Sequence, residues 1–305
     1  MTSGAVSVGD AVKTYRYLRL GLFALVAFLF ASIVETWISE KCLQGSISAY
    51  FYTTTHAVFI ASLCAIGICL IVYQGSTPTE NALLDFSGFL AFIVALVPIK
   101  NNSTCGAGLP TNGDWNGAVD NNVRALLIAV AIGIGTYWTI KILQPLKSSE
   151  PLGEPSGITP AEPPPGGVSG FLRWGLPTLL LVFLITGVVI FFACPDQFKA
   201  SAHGVAASVM FVAFILVAVH YAYYAAKGMH PRRSSPQVAM RFAGIYAALA
   251  VIMVVTLLAA IVLHFAGHPS HLRFFAEALL SVEFAIFWIV QTCDMWDIDT
   301  YPPTR

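Results

Sequence analysis

The chain reads as an all-α membrane protein: eight transmembrane helices arranged as two parallel-oriented four-helix repeats. Composition is the first reason. Of the 305 residues, 57% are hydrophobic and 10% charged, against about 45–50% and about 25% in soluble domains. Continuity is the second, because the apolar runs approach the ~20 residues that carry a helix across roughly 30 Å of hydrocarbon. Repetition is the third. Residues 48 to 75, opening Ser48-Ala49, return as residues 201 to 228, opening Ser201-Ala202. Tyr17-Leu18-Arg19-Leu20-Gly21-Leu22 returns as Phe171-Leu172-Arg173-Trp174-Gly175-Leu176, and Asp85-Phe86-Ser87-Gly88-Phe89 as Arg241-Phe242-Ala243-Gly244-Ile245. Blocks recurring in order at offsets of 153 to 156 residues mark a duplicated domain-sized unit rather than a solenoid.

Residues 1–14 form a small, polar N-terminal tail, and the span at 17–38 follows. That run is too long for a signal-peptide core and lacks a small-x-small cleavage site, so it stays as an anchor. Spans at 51–73, 83–99 and 125–143 complete the first half, residues 15–144, with Lys141 placed to snorkel toward the headgroups. Residues 145–169 hold seven prolines among Gly, Ser and Glu, the composition of a semi-extended linker. The second half, 170–293, supplies spans at 171–193, 204–226, 242–265 and 274–290 before the tail at 294–305.

Positive charge sets the orientation. With the N-terminus inside, Lys13, Arg16, Arg19, Lys141, Lys147, Arg173, Lys227, Arg232, Arg233, Arg241 and Arg305 fall on the inner side; Lys41, Lys100, Arg124, Lys199 and Arg273 fall outside. Eleven against five predicts both termini, the linker and both tails in the cytoplasm. An even number of spans per half gives the halves one orientation about an axis along the membrane normal, and a space on that axis is the natural place for a site. The net charge of +0 leaves no Lys and Arg excess for a nucleic-acid partner. The lipid bilayer is the partner, together with a small solute or proton, and no motif calls for a cofactor.

This topology places Cys42, Cys105 and Cys194 outside. Cys42 with Cys105 is one pairing that ties the first two outer loops, and Cys194 is the competing partner. Asn101-Asn102-Ser103-Thr104 reads as overlapping glycosylation acceptors in a secretory pathway and as a turn elsewhere.

The segment Ser46-Ile47-Ser48-Ala49-Tyr50-Phe51-Tyr52-Thr53, continued by Phe59 and Cys64-Ala65-Ile66-Gly67, resembles the signature of a family of uncharacterised bacterial multi-pass integral membrane proteins. Leu83-Leu84, Gly88, Val97-Pro98, Phe287-Trp288 and Gln291-Thr292 extend the match. The resemblance implies a helical fold in a bacterial inner membrane and brings no activity with it.

Several residues are candidates for ligand or proton binding. Glu283 stands about nine residues into the eighth span, roughly 13 Å deep, and is expected to face a cavity between the halves. Glu277 lies six residues earlier, about 120 degrees round the helix, so the two cannot share one face. Asp85 and Arg241 hold equivalent repeat positions near the inner ends of their spans, where they either form a cross-half ion pair or each reach the headgroups. Tyr50 and His56 belong to a polar, aromatic collar at the outer entrance of the second span, a vestibule or an ordinary interfacial belt. Glu35 and His203 also fall on the outer side, and His220 in an inner aromatic patch. His264, His268 and His271 are weak metal candidates, because Gly267 and Pro269 interrupt the helix that would align the first two.

Three classes of function follow: a small-solute or proton/cation-coupled transporter, which the duplication favours; a membrane-embedded metal hydrolase; and a structural or assembly subunit without chemistry. The hydrolase reading draws on the Ser, Asp and His-x3-His set of the alkaline ceramidase and adiponectin-receptor superfamily through Ser48, Asp85, His264 and His268. Asp85 near the inner face and the histidines at the outer one would leave roughly 30 Å between groups that must share a metal.

Overall fold

The computed structural model describes residues 8–99, 105, 114–143, 175–227, 236–265 and 271–296. The proline-rich linker, the Asn101–Thr104 segment and His268 lie outside the described residues. Every regular element among them is helical: α1 Val8–Glu40, a short 3₁₀ turn Ser48–Tyr52, α2 His56–Val72, α3 Pro78–Leu96, α4 Trp115–Leu143, α5 Leu176–Ala193, α6 Pro195–Ala226, α7 Pro236–Phe265 and α8 Leu272–Asp294. Seven of the eight are long and apolar enough to cross a bilayer, and α2, at 17 residues, is the shorter apolar one.

Helix ends follow local chemistry that hydropathy does not register. The Thr77 hydroxyl caps α3 by accepting from Glu80 N–H, with Pro78 at the first helical position. Val97, forced extended by Pro98, stops the same helix (φ −112°, ψ 96°). Pro195 opens α6 nine residues before the apolar run begins at Gly204, so that helix projects beyond the apolar stretch. Lys41, with φ 52°, turns the chain out of α1 in the left-handed conformation common after a helix C-terminus.

The segment between α1 and α2 shortens an expected span, by five residues. Residues 51–55 belong to the 3₁₀ turn and the bend after it rather than to the second membrane helix. Tyr50, Phe51, Tyr52, Thr53 and Thr55 are all buried there. Thr55 Oγ1 donates to the Ser32 carbonyl at 3.2 Å and meets Thr36 Oγ1 at 2.8 Å, so the threonines close backbone and side-chain valences against α1. Irregular backbone near a membrane survives only where protein satisfies its polar groups in this way. A disulfide joins Cys42 to Cys105 with their Cα atoms 5.9 Å apart, leaving Cys194 free. That end of the bundle is called the disulfide end below.

Pairwise packing closes six helices into a ring: α1 on α2, α2 on α3, α3 on α6, α6 on α7, α7 on α8, and α8 back on α1. Its interior is filled rather than open. Leu22, Leu70, Leu84, Phe214, Met253 and Trp288, one from each helix of the ring, all lie in a single core cluster. The tightest contact joins α2 and α3, where a Cβ on Gly67 would come within 2.7 Å of the Gly88 carbonyl oxygen and one on Gly88 within 2.6 Å of the Gly67 oxygen. Small residues that let backbones touch are a common device of membrane helix pairs. Helices α4 and α5 stand outside the ring against α3, and none of the most apolar stretch of α4 is buried. Ile128, Ile132, Tyr137 and Trp138 are exposed along it. An apolar surface of that extent belongs in lipid.

Within each half, successive helices pack in chain order. Between the halves the main contacts are α3 on α6 and α1 on α8, with a smaller one of α3 on α5, whereas exchanging equivalent spans would demand α7 on α2, α5 on α4 and α7 on α1, none of which is among the packed pairs. Helices α4 and α8, paired by the repeat, therefore have different surroundings.

Candidate functional site

The α3–α6 pair, the main contact between the halves, is clamped at both ends by polar groups. Its two clamps are 17 and 18 residues apart along the two helices, roughly 25 Å at 1.5 Å per residue.

At the disulfide end, His203 of α6 is 5% exposed, and its Nδ1 lies 2.7 Å from the Val97 carbonyl at the end of α3. A carbonyl only accepts, so Nδ1 carries the proton and Nε2 presents its lone pair. The Ser48 hydroxyl, 2.7 Å from Nε2, is thereby the donor. Ser48 and His203 lie in the two similar stretches Ser48-Ala49-Tyr50 and Ser201-Ala202-His203. One residue before Ser48, the Ile47 N–H donates to Glu277 Oε2 of α8 at 2.8 Å. Two helices, α6 and α8, thus converge on two adjacent residues of the α1–α2 connection.

The opposite end is more deeply buried. Glu80, 1% exposed in the first turn of α3, accepts from Ser76 N–H at 2.7 Å and from the Tyr221 hydroxyl of α6 in a short hydrogen bond. Gln291 of α8 donates to the Tyr221 oxygen at 2.5 Å. Arg19 of α1 is buried, donates to the Gln291 carbonyl at 3.5 Å, lies over the Tyr73 ring at 5.7 Å and acts electrostatically on Glu80. Beside this network Tyr246 of α7 donates to Asp294 Oδ2 at 2.9 Å, and Thr77 Oγ1 meets His220 Nε2 at 2.8 Å. A Cβ on Gly75 would fall 2.1 Å from the Glu80 carboxyl carbon, so the carboxylate occupies the space a side chain would need.

Most of this second cluster escapes a reading by hydropathy. Glu80 looks like a polar residue before a span, and Arg19 and Gln291 like interfacial groups. The available signals were Thr77-Pro78-Thr79-Glu80, the spacing of a capping box after a glycine, and the place of Arg19 in a repeated block.

Other candidates sit apart. Glu283 is 2% exposed, but its Oε1 accepts from Thr256 of α7 at 2.8 Å, within the second half; it does not look into a space between the halves. Its Oε2 has no partner among the described residues. The side of α8 that faces inward is fixed by packing against α7, which depth alone does not reveal. Asp85 and Arg241 are both exposed and form no ion pair, because α3 and α7 do not pack on each other. Tyr50 is fully buried against Phe274, ring centroids 6.0 Å apart, and burial pushes its phenol up from the ordinary value, as it does for Tyr52. His56 donates from Nδ1 to the Phe51 carbonyl at 2.5 Å and packs edge-to-face with Phe51 and Trp115, fastening the turn to α2. His264 is exposed and in contact with Arg273 Nη1 at 3.2 Å, His271 precedes α8, and among the described residues no group of three His, Cys, Asp or Glu has metal-binding proximity.

The geometry defines a polytopic helical membrane protein with polar clamps at both ends of a packed ring. Comparison with protein-family models, with curated proteins and with solved structures found no match.

Proposed function

We propose that the protein is a proton- or cation-coupled carrier of a small solute in a bacterial inner membrane, with both termini cytoplasmic. Its two duplicated halves close on each other at Glu277 on the outer side and at Glu80 on the inner side. One observation carries this reading: the carboxylates are held reciprocally. Glu80 belongs to the first half and accepts from Tyr221 of the second, while Glu277 belongs to the second and accepts from Ile47 of the first.

A hydrogen bond to an ionised carboxylate is roughly twice as strong as a neutral one. Taking up a proton or a cation at Glu277 therefore weakens its hold on the α1–α2 connection and loosens the halves at that end alone. The same event at Glu80 loosens the other end. Two independently releasable clamps at opposite ends of the bundle are what alternating access requires of halves that rock against each other. Between the two levels α8 carries the buried Glu283, the carboxyl group placed to relay a proton between them.

Proteoliposomes loaded with a pH-sensitive dye test the reading. The wild type moves protons on addition of a transported solute from an amine, sugar, carboxylate and amino-acid panel, and Glu80→Gln and Glu277→Gln each abolish the movement. Proton movement that survives intact in either variant, or that no solute elicits in the wild type, contradicts it.

A second reading, hydrolysis, is favoured by the Ser48–His203 pair alone, because a serine hydroxyl donating to an imidazole held by a carbonyl is the geometry of a nucleophile and its base. Neither the apolar cavity beside Phe89 and Phe183 nor the polar one beside Trp115 and Lys199 is lined by Ser48 or His203. Labelling of Ser48 by a fluorophosphonate, absent in Ser48→Ala, would favour hydrolysis over transport.

A further inference from the structure

Helices α4 and α5, which leave the ring, do not stand idle beside it. Between them, over α3 and α6, lies a cavity of about 170 Å³ whose lining is almost wholly apolar, including Phe89, Ile93, Val123, Phe183 and Phe198. A second cavity, about 290 Å³, lies at the disulfide end; Trp115, Asn116, Asp196 and Lys199 are among the groups that line it.

The two share helices at successive turns. On α3 the apolar cavity takes Ile93 and the polar one Val97; on α4 they take Val123 and Val119; on α6, Phe198 and Lys199 are adjacent. Four residues of helix rise roughly 6 Å. The polar cavity is therefore stacked next to the apolar one, along the same three helices.

We propose that this composite is a binding site for a zwitterionic phospholipid with a primary amine in its headgroup, drawn from the leaflet at the disulfide end. One acyl chain lies in the apolar cavity between α4 and α5, and the headgroup in the polar cavity above. Charge complementarity selects the headgroup. Lys199 pairs with Asp120 at 2.8 Å and keeps 17% of its side chain exposed, a cation for the phosphate. Asp196, exposed in the first turn of α6, is the anion for the amine. The Trp115 indole and Tyr52 border the cavity where headgroup and chain join, the level at which such rings settle in a membrane. A purely anionic lipid would meet Asp196 and Asp120 with no amine to offer. This site is separate from the Glu80 and Glu277 clamps and does not depend on transport.

Native mass spectrometry of the full chain, released from detergent after incubation with dioleoyl phosphatidylethanolamine or dioleoyl phosphatidylglycerol, tests the proposal. The wild type should retain one phosphatidylethanolamine with about tenfold higher occupancy than phosphatidylglycerol, the discrimination expected from one charge-assisted hydrogen bond. Gly187 lines the apolar cavity, and a Cβ there would meet nothing within 4 Å. Gly187→Leu should accordingly leave folding intact and reduce retention of both lipids, whereas Asp196→Asn should remove only the preference between them. Equal retention of the two lipids by the wild type overturns the proposal without reference to any variant. So does a Gly187→Leu protein that melts as the wild type does and still retains phosphatidylethanolamine.

Discussion

Ser48 and His203 stand 155 residues apart in sequence and 2.7 Å apart in space, one in each of the chain's two similar Ser-Ala stretches. The proton on Nδ1, fixed by the Val97 carbonyl, makes the contact directional: serine gives and imidazole receives. If this contact holds the halves together, its partners should be energetically coupled. A double-mutant cycle of Ser48→Ala and His203→Gln, read by thermal unfolding in detergent, is expected to give about 1 kcal/mol of coupling. Additive losses would show that the pair contributes nothing across the halves.

Gly75→Ala should be among the most damaging single-methyl changes in the chain. The added carbon would sit 2.1 Å from the Glu80 carboxyl carbon, and moving that buried carboxylate breaks its bonds to Ser76 and Tyr221. A loss of about 2–3 kcal/mol is expected. Gly133→Ala, where nothing lies within 4 Å, is the control and should unfold as the wild type does.

The α2–α3 contact predicts a second asymmetry. Gly88→Ala forces a carbon to 2.6 Å from the Gly67 oxygen and should cost about 1–3 kcal/mol, because two backbones have to separate. Gly244→Ala, at the repeat position of Gly88, meets nothing within 4 Å and should be neutral in the same melt.

Orientation and the disulfide can be tested together. Cys42 and Cys105 should remain cross-linked in protein taken directly from cells, and reduction should lower stability by about 2–5 kcal/mol. With single introduced cysteines in intact cells, a membrane-impermeant reagent should label the 101–120 loop and spare the 145–169 linker. Labelling of the linker from outside would reverse the topology.

Glu283→Gln keeps an acceptor for Thr256 but removes titration, so transport should fail while the melting temperature changes little. Thr256→Val removes the only hydrogen bond that Glu283 makes among the described residues and should destabilise by about 1–3 kcal/mol. Full transport by Glu283→Gln would take this residue out of the proton route.

The apolar helices were legible in the sequence because bilayer thickness fixes how long an apolar run must be. The likeness of the Ser48 and Ser201 stretches also stands in the sequence, and the structure brings Ser48 of one against His203 of the other. The facing of each helix was not legible. Glu283 lies midway along α8, and its rotation toward Thr256 depends on α7 being the neighbour. The hydropathy of Arg19, Glu80 and Gln291 suggested exposure at a membrane surface, whereas all three are buried, because Tyr73, Tyr221 and Ser76 supply the contacts that water would have made. A one-dimensional pattern cannot register such long-range compensation. The α1–α2 connection was read partly as helix for the opposite reason: its aromatic residues raise local hydropathy, while its threonines bend the chain back on itself.

Hydrogen–deuterium exchange of the membrane-reconstituted protein tests the reciprocal clamps most directly, at the peptides containing Ile47 and Ser76. The account predicts that Glu277→Gln raises exchange around Ile47 while that around Ser76 stays the same or falls, and that Glu80→Gln does the reverse. Exchange rising together at both ends in each variant, or changing at neither, would contradict it.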